Sequence, residues 1–485
     1  MSTVFEGLSP EKVWFYFGEI CKIPRPSKKE KLISDYIVSI ARELNLENEI
    51  DETGNILIRK PATDGFAHFP VVILQSHIDM VCEKNSDTEH DFDTDPIIPR
   101  IEGEWVKAKN TTLGADDGIG VATQLAILAS TDIEHGPLEM LFTIDEETGL
   151  TGAKGLKPGF LKGNILLNLD SEDEGELFIG CAGGQDTKVL MNYSRVAVNY
   201  DFAGFQIKVT GLQGGHSGDD INKGRGNSVK ILNRLLWSAS HLFEVRISEL
   251  NGGNLRNAIA REAFANVIVP HRFSNEFIKY VKTFNSITKS EFKITEPGLL
   301  ISCQPTELPS YLMDLSTQER LLNALYACPH GVITMSADVP NFVETSTNLA
   351  SVKMTDKVIE IGTSQRSSSE HGKEDVLNMV ESVFRLAGGK ITHNDGYPGW
   401  TPNPNSPILD VTRKAYIKLF KSEPKVLAIH AGLECGLIGE QYPGIDMISY
   451  GPTIKGAHSP DERLQIETVQ KFWDLTLEVL KNIPL

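Results

Sequence analysis

The sequence predicts an α/β protein built on a mixed, largely parallel central sheet, and three observations predict it. Apolar runs of the kind buried on both faces of a parallel sheet recur as VVILQSHID (71–79), LEMLFTIDEE (138–147) and ILLNLDSED (165–173). Segments with helical apolar spacing alternate with them. The same style returns near the end, where a helix pattern over 408–420 precedes strand-like IDMISY (445–450).

Taken in order, Ser9-Pro10 opens a helix, with Ser as N-cap and Pro at the first helical position. Ser27 and Glu30 have the S-x-x-E spacing of a capping box ahead of the helix-period run Leu32, Ile33, Tyr36, Ile37, Ile40 and Leu44. NILIRK follows the turn residues Thr53-Gly54-Asn55 as a strand, and then comes the central strand, Val71 to Asp79. Alternation along that strand puts His77 and Asp79 on one face at its end, where open α/β sheets hold ligands. The Asp-rich DTEHDFDTDP reads as a solvated loop. In TLGADDGIGVATQLAILAS the apolar spacing after Ile119 reads as a helix, so Asp116 and Asp117 stand at its N-terminus, where an aspartate is also a common cap. The strand Leu138 to Ile144 empties into Asp145-Glu146-Glu147, and a third strand ends at Asp170. Adjacent carboxylates repel unless a cation or hydrogen bonds offset them.

From about Asp186 the character changes. FQIKVTGLQGGHSG is an alternating strand and a glycine-rich turn carrying His216; helices are expected over Val229–Ala239, Phe277–Phe284 and Glu374–Leu386. LRNAIAREAFANVIV reads as a loop and strand, LASVKMTDKVIEIGTSQR as two strands, and the two sets of elements suggest a weak internal duplication. GYPGWTPNPNSP reads as a connection. In GAHSPDER, Ser459 to Glu462 repeats the S-x-x-E spacing with Pro460 behind the serine, which predicts a helix starting directly after His458.

Composition narrows the function. With 485 residues and 40% hydrophobic residues the chain can form two or three domains with a sizeable core. A net charge of -18 and the lack of any Lys/Arg cluster argue against nucleic acid. No apolar stretch has the length of a membrane span. The N-terminus lacks the pattern of a signal peptide, and six dispersed cysteines without a C-x-x-C pair point to a reducing cytoplasm.

Together, His77, Asp116, Glu147, Asp170 and His458 offer two nitrogens and three carboxylates, a donor set suited to Zn²⁺. Five ligands exceed the needs of one zinc with an open position. Two ions sharing Asp116 fit better, with His77 and Asp170 on one and Glu147 and His458 on the other. Three carboxylates and one bridging hydroxide then neutralise two dications. Glu146 is free to act as general base and later as acid, and Asp79 to orient His77. Co²⁺ or Mn²⁺ could take such a mixed site as well. No G-x-S-x-G elbow, phosphate-binding G-x-x-x-x-G-K-[ST] loop or H-E-x-x-H helix competes.

The succession SHID, GADDGIG, DEETG, NLDSE and GAHSPDER, with GLQGGHSG, NLRNAIAREA and HAGLECG, resembles the co-catalytic dizinc metallopeptidases that include carboxypeptidase G, aminoacylase and carnosinase. Over nearly its whole length the chain looks most like their aminoacyl-histidine dipeptidase branch. The resemblance implies a zinc-peptidase-like catalytic domain from residues 1–186 and 398–485, interrupted by an α+β lid or dimerisation domain over 187–397, and a homodimer. It implies two zinc ions per subunit and hydrolysis of unblocked dipeptides, Xaa-His and β-Ala-His among them. It also implies that His216 polarises the scissile carbonyl, that Arg366 clamps the substrate carboxylate and that Asn257 contacts substrate. Of Asp116 and Asp117, it is Asp116 that aligns with the family's bridging carboxylate. Sister activities on N-acyl amino acids or longer peptides, and a metal-binding protein without turnover, are the alternatives. The last would be expected to have lost Glu146.

Overall fold

The computed structural model describes residues 4–198 and 201–484. The chain divides into two compact units, one of Met1–Gly180, Pro402–Ala428 and Leu433–Leu485, the other of Cys181–Thr401 and Ile429–Gly432.

The first unit is built on an eight-stranded sheet in the order Glu47–Ile50, Ile56–Lys60, Leu138–Thr143, Val72–His77, Ile165–Asn168, Asp446–Ser449, Glu176–Cys181, Lys425–Ile429. Its middle is parallel: Val72–His77 pairs in parallel with both Leu138–Thr143 and Ile165–Asn168, which in turn is flanked in parallel by Asp446–Ser449. Antiparallel strands extend it at either side, which makes the sheet mixed. The two strands beside the centre are buried at every residue, as their unbroken apolar runs require. Helix Ala115–Leu128 lies between strand Val72–His77 and helix Glu11–Ile20. It is buried all round, consistent with the small and apolar residues on every face of GIGVATQLAIL.

Three helix starts differ from expectation. The first helix begins at Glu11 with Pro10, which has no side-chain acceptor, at its N-cap position, and the Ser9 carbonyl accepts from the Trp14 indole N–H. The second begins at Lys31 without a side-chain cap bond. Ser27 instead donates to Asp79 Oδ2 at 2.7 Å, and Glu30 Oε1 accepts from the Lys28 and Asp145 N–H groups. Long-range partners have displaced the expected capping box. Likewise Ser459–Glu462 starts no helix: a short strand, Arg463–Gln465, intervenes and the last helix runs Ile466–Lys481.

The second unit holds a nine-stranded antiparallel sheet. Its main path runs Leu300–Thr306, Phe202–Thr210, Ala263–Pro270, Arg246–Gly252, Val343–Met354, Val358–Ser367, Gly183–Asn192, Lys390–His393, and Gly331–Met335 pairs with Val343–Met354. Helices Ser228–Phe243, Ser274–Glu291, Leu315–Ala327 and Glu370–Leu386 share one hydrophobic core with it. Asn227 caps the first of them, accepting from the Val229 and Lys230 N–H groups. The helix 315–327 carried no expectation from the sequence.

Candidate metal centre

The ends of three neighbouring parallel strands bring the first unit's ligand candidates together. His77 closes its strand, Asp145-Glu146-Glu147 follow the strand ending at Thr143, and Asp170 lies two residues beyond Asn168. Asp116 arrives from the first residues of helix Ala115–Leu128, where its own backbone is not yet helical, and His458 from a tight turn in which it takes a left-handed φ of 62°.

One donor atom each from His77, Asp116 and Asp170 lies within 4.8 Å of the others, and so does one each from Asp116, Glu147 and His458. Asp116 belongs to both sets. Its Oδ1 lies 3.1 Å from His77 Nε2 and its Oδ2 3.1 Å from His458 Nε2. Asp170 Oδ1 is 3.6 Å from His77 Nε2, and Glu147 Oε2 is 3.1 Å from His458 Nε2. Glu146 forms a third set with His77 and Glu147. The arrangement can hold two cations that share one carboxylate, and the buried Glu147 Oε1, which has no hydrogen-bond partner, fits a donor set made for cations.

Electrostatics point the same way. Burial pushes Asp170 up to about 7 and holds Glu146 well above the usual carboxylate range. Hydrogen bonds to Asp116 and Glu147 raise His458 to about 11. Burial opposes a charge on His77, but Asp170 and Asp116 outweigh it and hold its pKa well above the ordinary value. Burial would likewise raise Asp116; its bonds to His458 and His77 prevail and keep it ionised. Dications held by these groups would displace the protons that burial and mutual repulsion favour on them.

Asp79 braces the centre from behind. Fully buried, it accepts from the Ser27 hydroxyl and from the backbone N–H groups of Glu146 and Glu147 at 3.1 and 3.2 Å. His77 Nδ1 lies 3.4 Å from Asp79 Oδ1, close enough for an ion pair though not aligned as a hydrogen bond. Glu30 and Asp145 complete a buried acidic group with Asp79; Glu30 Oε1 accepts from backbone N–H groups and both Asp145 oxygens from threonine hydroxyls. Asp117 parts company with its neighbour across a cis peptide bond. Its Oδ1 accepts from Gly120 N–H, three residues on, which is a helix-capping contact.

Below the strand ends lies a polar layer. Gln75 Nε2 donates to Thr143 Oγ1 at 3.1 Å and to Glu434 Oε2 at 2.6 Å, Thr143 Oγ1 donates to the same Glu434 oxygen at 2.6 Å, and Asn168 Nδ2 donates to Gln75 Oε1 at 2.6 Å. Burial pushes Glu434 up to about 7. Sequence reasoning gave no site role to Arg25, Glu434 or Glu462, although Glu434 lies inside HAGLECG and Glu462 inside GAHSPDER, where its spacing suggested a helix cap instead.

In the second unit the three remaining candidates converge on one turn. Ser217 N–H donates to the Asn257 carbonyl at 2.8 Å, and Arg366 Nε reaches Ser217 Oγ at 3.4 Å. His216 precedes Ser217, with its Nδ1 3.2 Å from Asp219 Oδ2. A cleft of about 1040 Å³ in this unit is lined by His216 and Asn257. Arg366, nearly buried, also donates from Nη1 to the Tyr397 hydroxyl at 3.0 Å.

The chain is 46% identical over 477 residues to the cytosol non-specific dipeptidase of Escherichia coli (strain K12), covering 98% of each. The crystal structure of aminoacylhistidine dipeptidase from Vibrio alginolyticus superposes with a TM-score of 0.93 at 45% identity, covering 100% of this chain and 98% of that one. Aminopeptidase PepT from Bacillus cereus shares the fold, with a TM-score of 0.58 at 16% identity over 98% and 99% of the two chains. The sequence profile of Peptidase family M20/M25/M40 matches residues 73–482, which include every ligand candidate from His77 to His458, and the chain belongs to that family.

Proposed function

We propose that this protein hydrolyses the peptide bond of unblocked dipeptides, Xaa-His and β-Ala-His among them, using two divalent cations, zinc foremost. The observation that carries the reading is the pair of three-donor sets meeting at Asp116. His77, Asp116 and Asp170 would hold one cation; Asp116, Glu147 and His458 the other. When bound, such ions polarise the scissile carbonyl and acidify water enough for attack at neutral pH.

The chain's own residues do the rest. Glu146 stands beside the ligands, and its carboxyl carries a proton more readily than an exposed one because it is buried. It takes the proton of the attacking water and hands it to the leaving nitrogen as the C–N bond breaks. Asp79 fixes the backbone of Glu146 and Glu147 through both of its oxygens, so base and ligand move as one piece. His216 is assigned to the developing oxyanion, Arg366 to the substrate's carboxylate, for which a guanidinium fork is suited, and Asn257 to substrate contact. The second unit is read as a lid and dimerisation domain, and the working compartment as the cytoplasm. The identity of a full-length relative named as a dipeptidase supports the substrate class.

The test is hydrolysis of Gly-His, β-Ala-His, Ala-Leu, a tripeptide and an N-acetyl amino acid by zinc-loaded protein, with Glu146→Ala as control. Cleavage of the dipeptides is expected, lowered about 10²–10⁴-fold in the variant while metal content stays unchanged. Turnover confined to the tripeptide or the acetylated compound would overturn the substrate assignment.

A further inference from the structure

We infer that Glu462 is a positioning residue for the shared carboxylate: its side chain grips the backbone of residues 113–116 and thereby sets where Asp116 stands. The inference rests on the two-cation reading above.

Glu462 is almost wholly buried. Its Oε2 accepts from the Leu113 and Gly114 N–H groups at 2.6 and 2.9 Å, and its Oε1 from Ala115 at 2.7 Å and Asp116 at 3.4 Å. Four consecutive N–H groups thus converge on one carboxylate at the approach to helix Ala115–Leu128, where backbone donors lack intrahelical partners. The loop's acceptor side is held separately. Arg25 Nη2 donates to the Gly114 carbonyl, and Nη1 to the Ile78 and Asp79 carbonyls at 3.1 and 2.6 Å. The segment ahead of Asp116 is therefore fixed by an acid on its N–H side and tied by a guanidinium to the end of the His77 strand.

The origin of Glu462 makes this more than an anchor. It lies four residues after His458, in a turn closed by Ser459 Oγ donating to the Gly456 carbonyl at 2.7 Å and Glu462 N–H donating to the Ser459 carbonyl at 3.0 Å. One short turn supplies both a ligand nitrogen and the grip on the neighbouring ligand's backbone. The separation between His458 Nε2 and Asp116 Oδ2, 3.1 Å here, is thus set by a closed path of hydrogen bonds through Glu462. Every partner hydrogen-bonded to the carboxylate is a backbone N–H donor. An amide in its place keeps one acceptor oxygen and turns an NH₂ group against N–H groups, so the loop must shift without losing its burial.

The experiment titrates Co²⁺ into metal-free protein and records its visible absorption, ion stoichiometry and thermal unfolding, for wild type, Glu462→Gln and Glu462→Asp. Wild type should bind two ions. Glu462→Gln should still unfold cooperatively, bind Co²⁺ about 10–100-fold more weakly, as loss of a partner that orients ligands does, and show an altered absorption envelope. Glu462→Asp, too short to reach all the donors, should show the same change and serves if the amide fails to fold. Variants that lose stability yet keep wild-type Co²⁺ affinity and spectrum overturn the inference, because an anchor alone would leave the ligand field untouched. Wild type that binds no Co²⁺ overturns the two-cation reading, and this inference with it.

Discussion

Glu434 illustrates what a single buried group contributes beneath the ligands. Gln75 and Thr143 both donate to its Oε2, while its Oε1 has no partner, and burial raises its pKa from 4.5 to about 7. A carboxyl whose folded pKa lies above its unfolded one binds more protons when folded between those values, so its contribution is fully present below about pH 4.5 and is lost as pH rises through about 7. Glu434→Gln keeps the shape without the ionisation. In chelator-treated protein, Glu434→Gln should therefore gain stability relative to wild type from pH 5 to pH 8, by roughly 1–3 kcal/mol. Urea unfolding at both values measures it; a difference that does not change with pH would contradict the assignment. The same residue shows what a linear reading misses. Nothing in HAGLECG says that its glutamate meets residues more than 250 positions earlier.

At the scale of the element, the loop before helix Ala115–Leu128 carries the most constraint for its length. Gly114 sits at φ 67° and ψ 34°, and a Cβ there would lie 2.5 Å from Arg25 Nη2 and 2.8 Å from Met80 Sδ. Gly114→Ala should cost about 1–3 kcal/mol in denaturant unfolding, from backbone strain and displacement of Arg25 together; a change below about 0.5 kcal/mol would mean that the loop adapts freely. Several elements of this protein with a long period were legible, although helix Leu315–Ala327 was not. Helices Ser228–Phe243, Glu370–Leu386 and Pro407–Phe420 follow their apolar spacing, and the fully buried strands follow their unbroken runs. Short capping signals were not. Ser27–Glu30 and Ser459–Glu462 have identical spacing, and in both cases the acid or hydroxyl is claimed by a distant part of the site. A capping bond is worth about 1 kcal/mol, which a buried network readily exceeds.

On the scale of the whole molecule, the ligand candidates span residues 77 to 458, drawn from strand ends, a helix approach and a late turn. Their approximate grouping was legible because each strand-like run visibly ends in acid or histidine. The division of labour between Asp116 and Asp117 was not, since it depends on the loop's conformation rather than on residue type. Such a site exists only once both ends of the chain have joined one sheet, so cation binding should be inseparable from folding of the first unit. What ties the two halves of the centre together is Asp116, with one oxygen facing each histidine. The most direct measurement is therefore a count of zinc per chain by native mass spectrometry for wild type, Asp170→Ala and Asp116→Ala. Wild type should carry two ions, Asp170→Ala one, and Asp116→Ala none, because only Asp116 serves both positions. An Asp116→Ala protein that keeps one ion, as Asp170→Ala is expected to, would contradict the shared carboxylate on which the account stands.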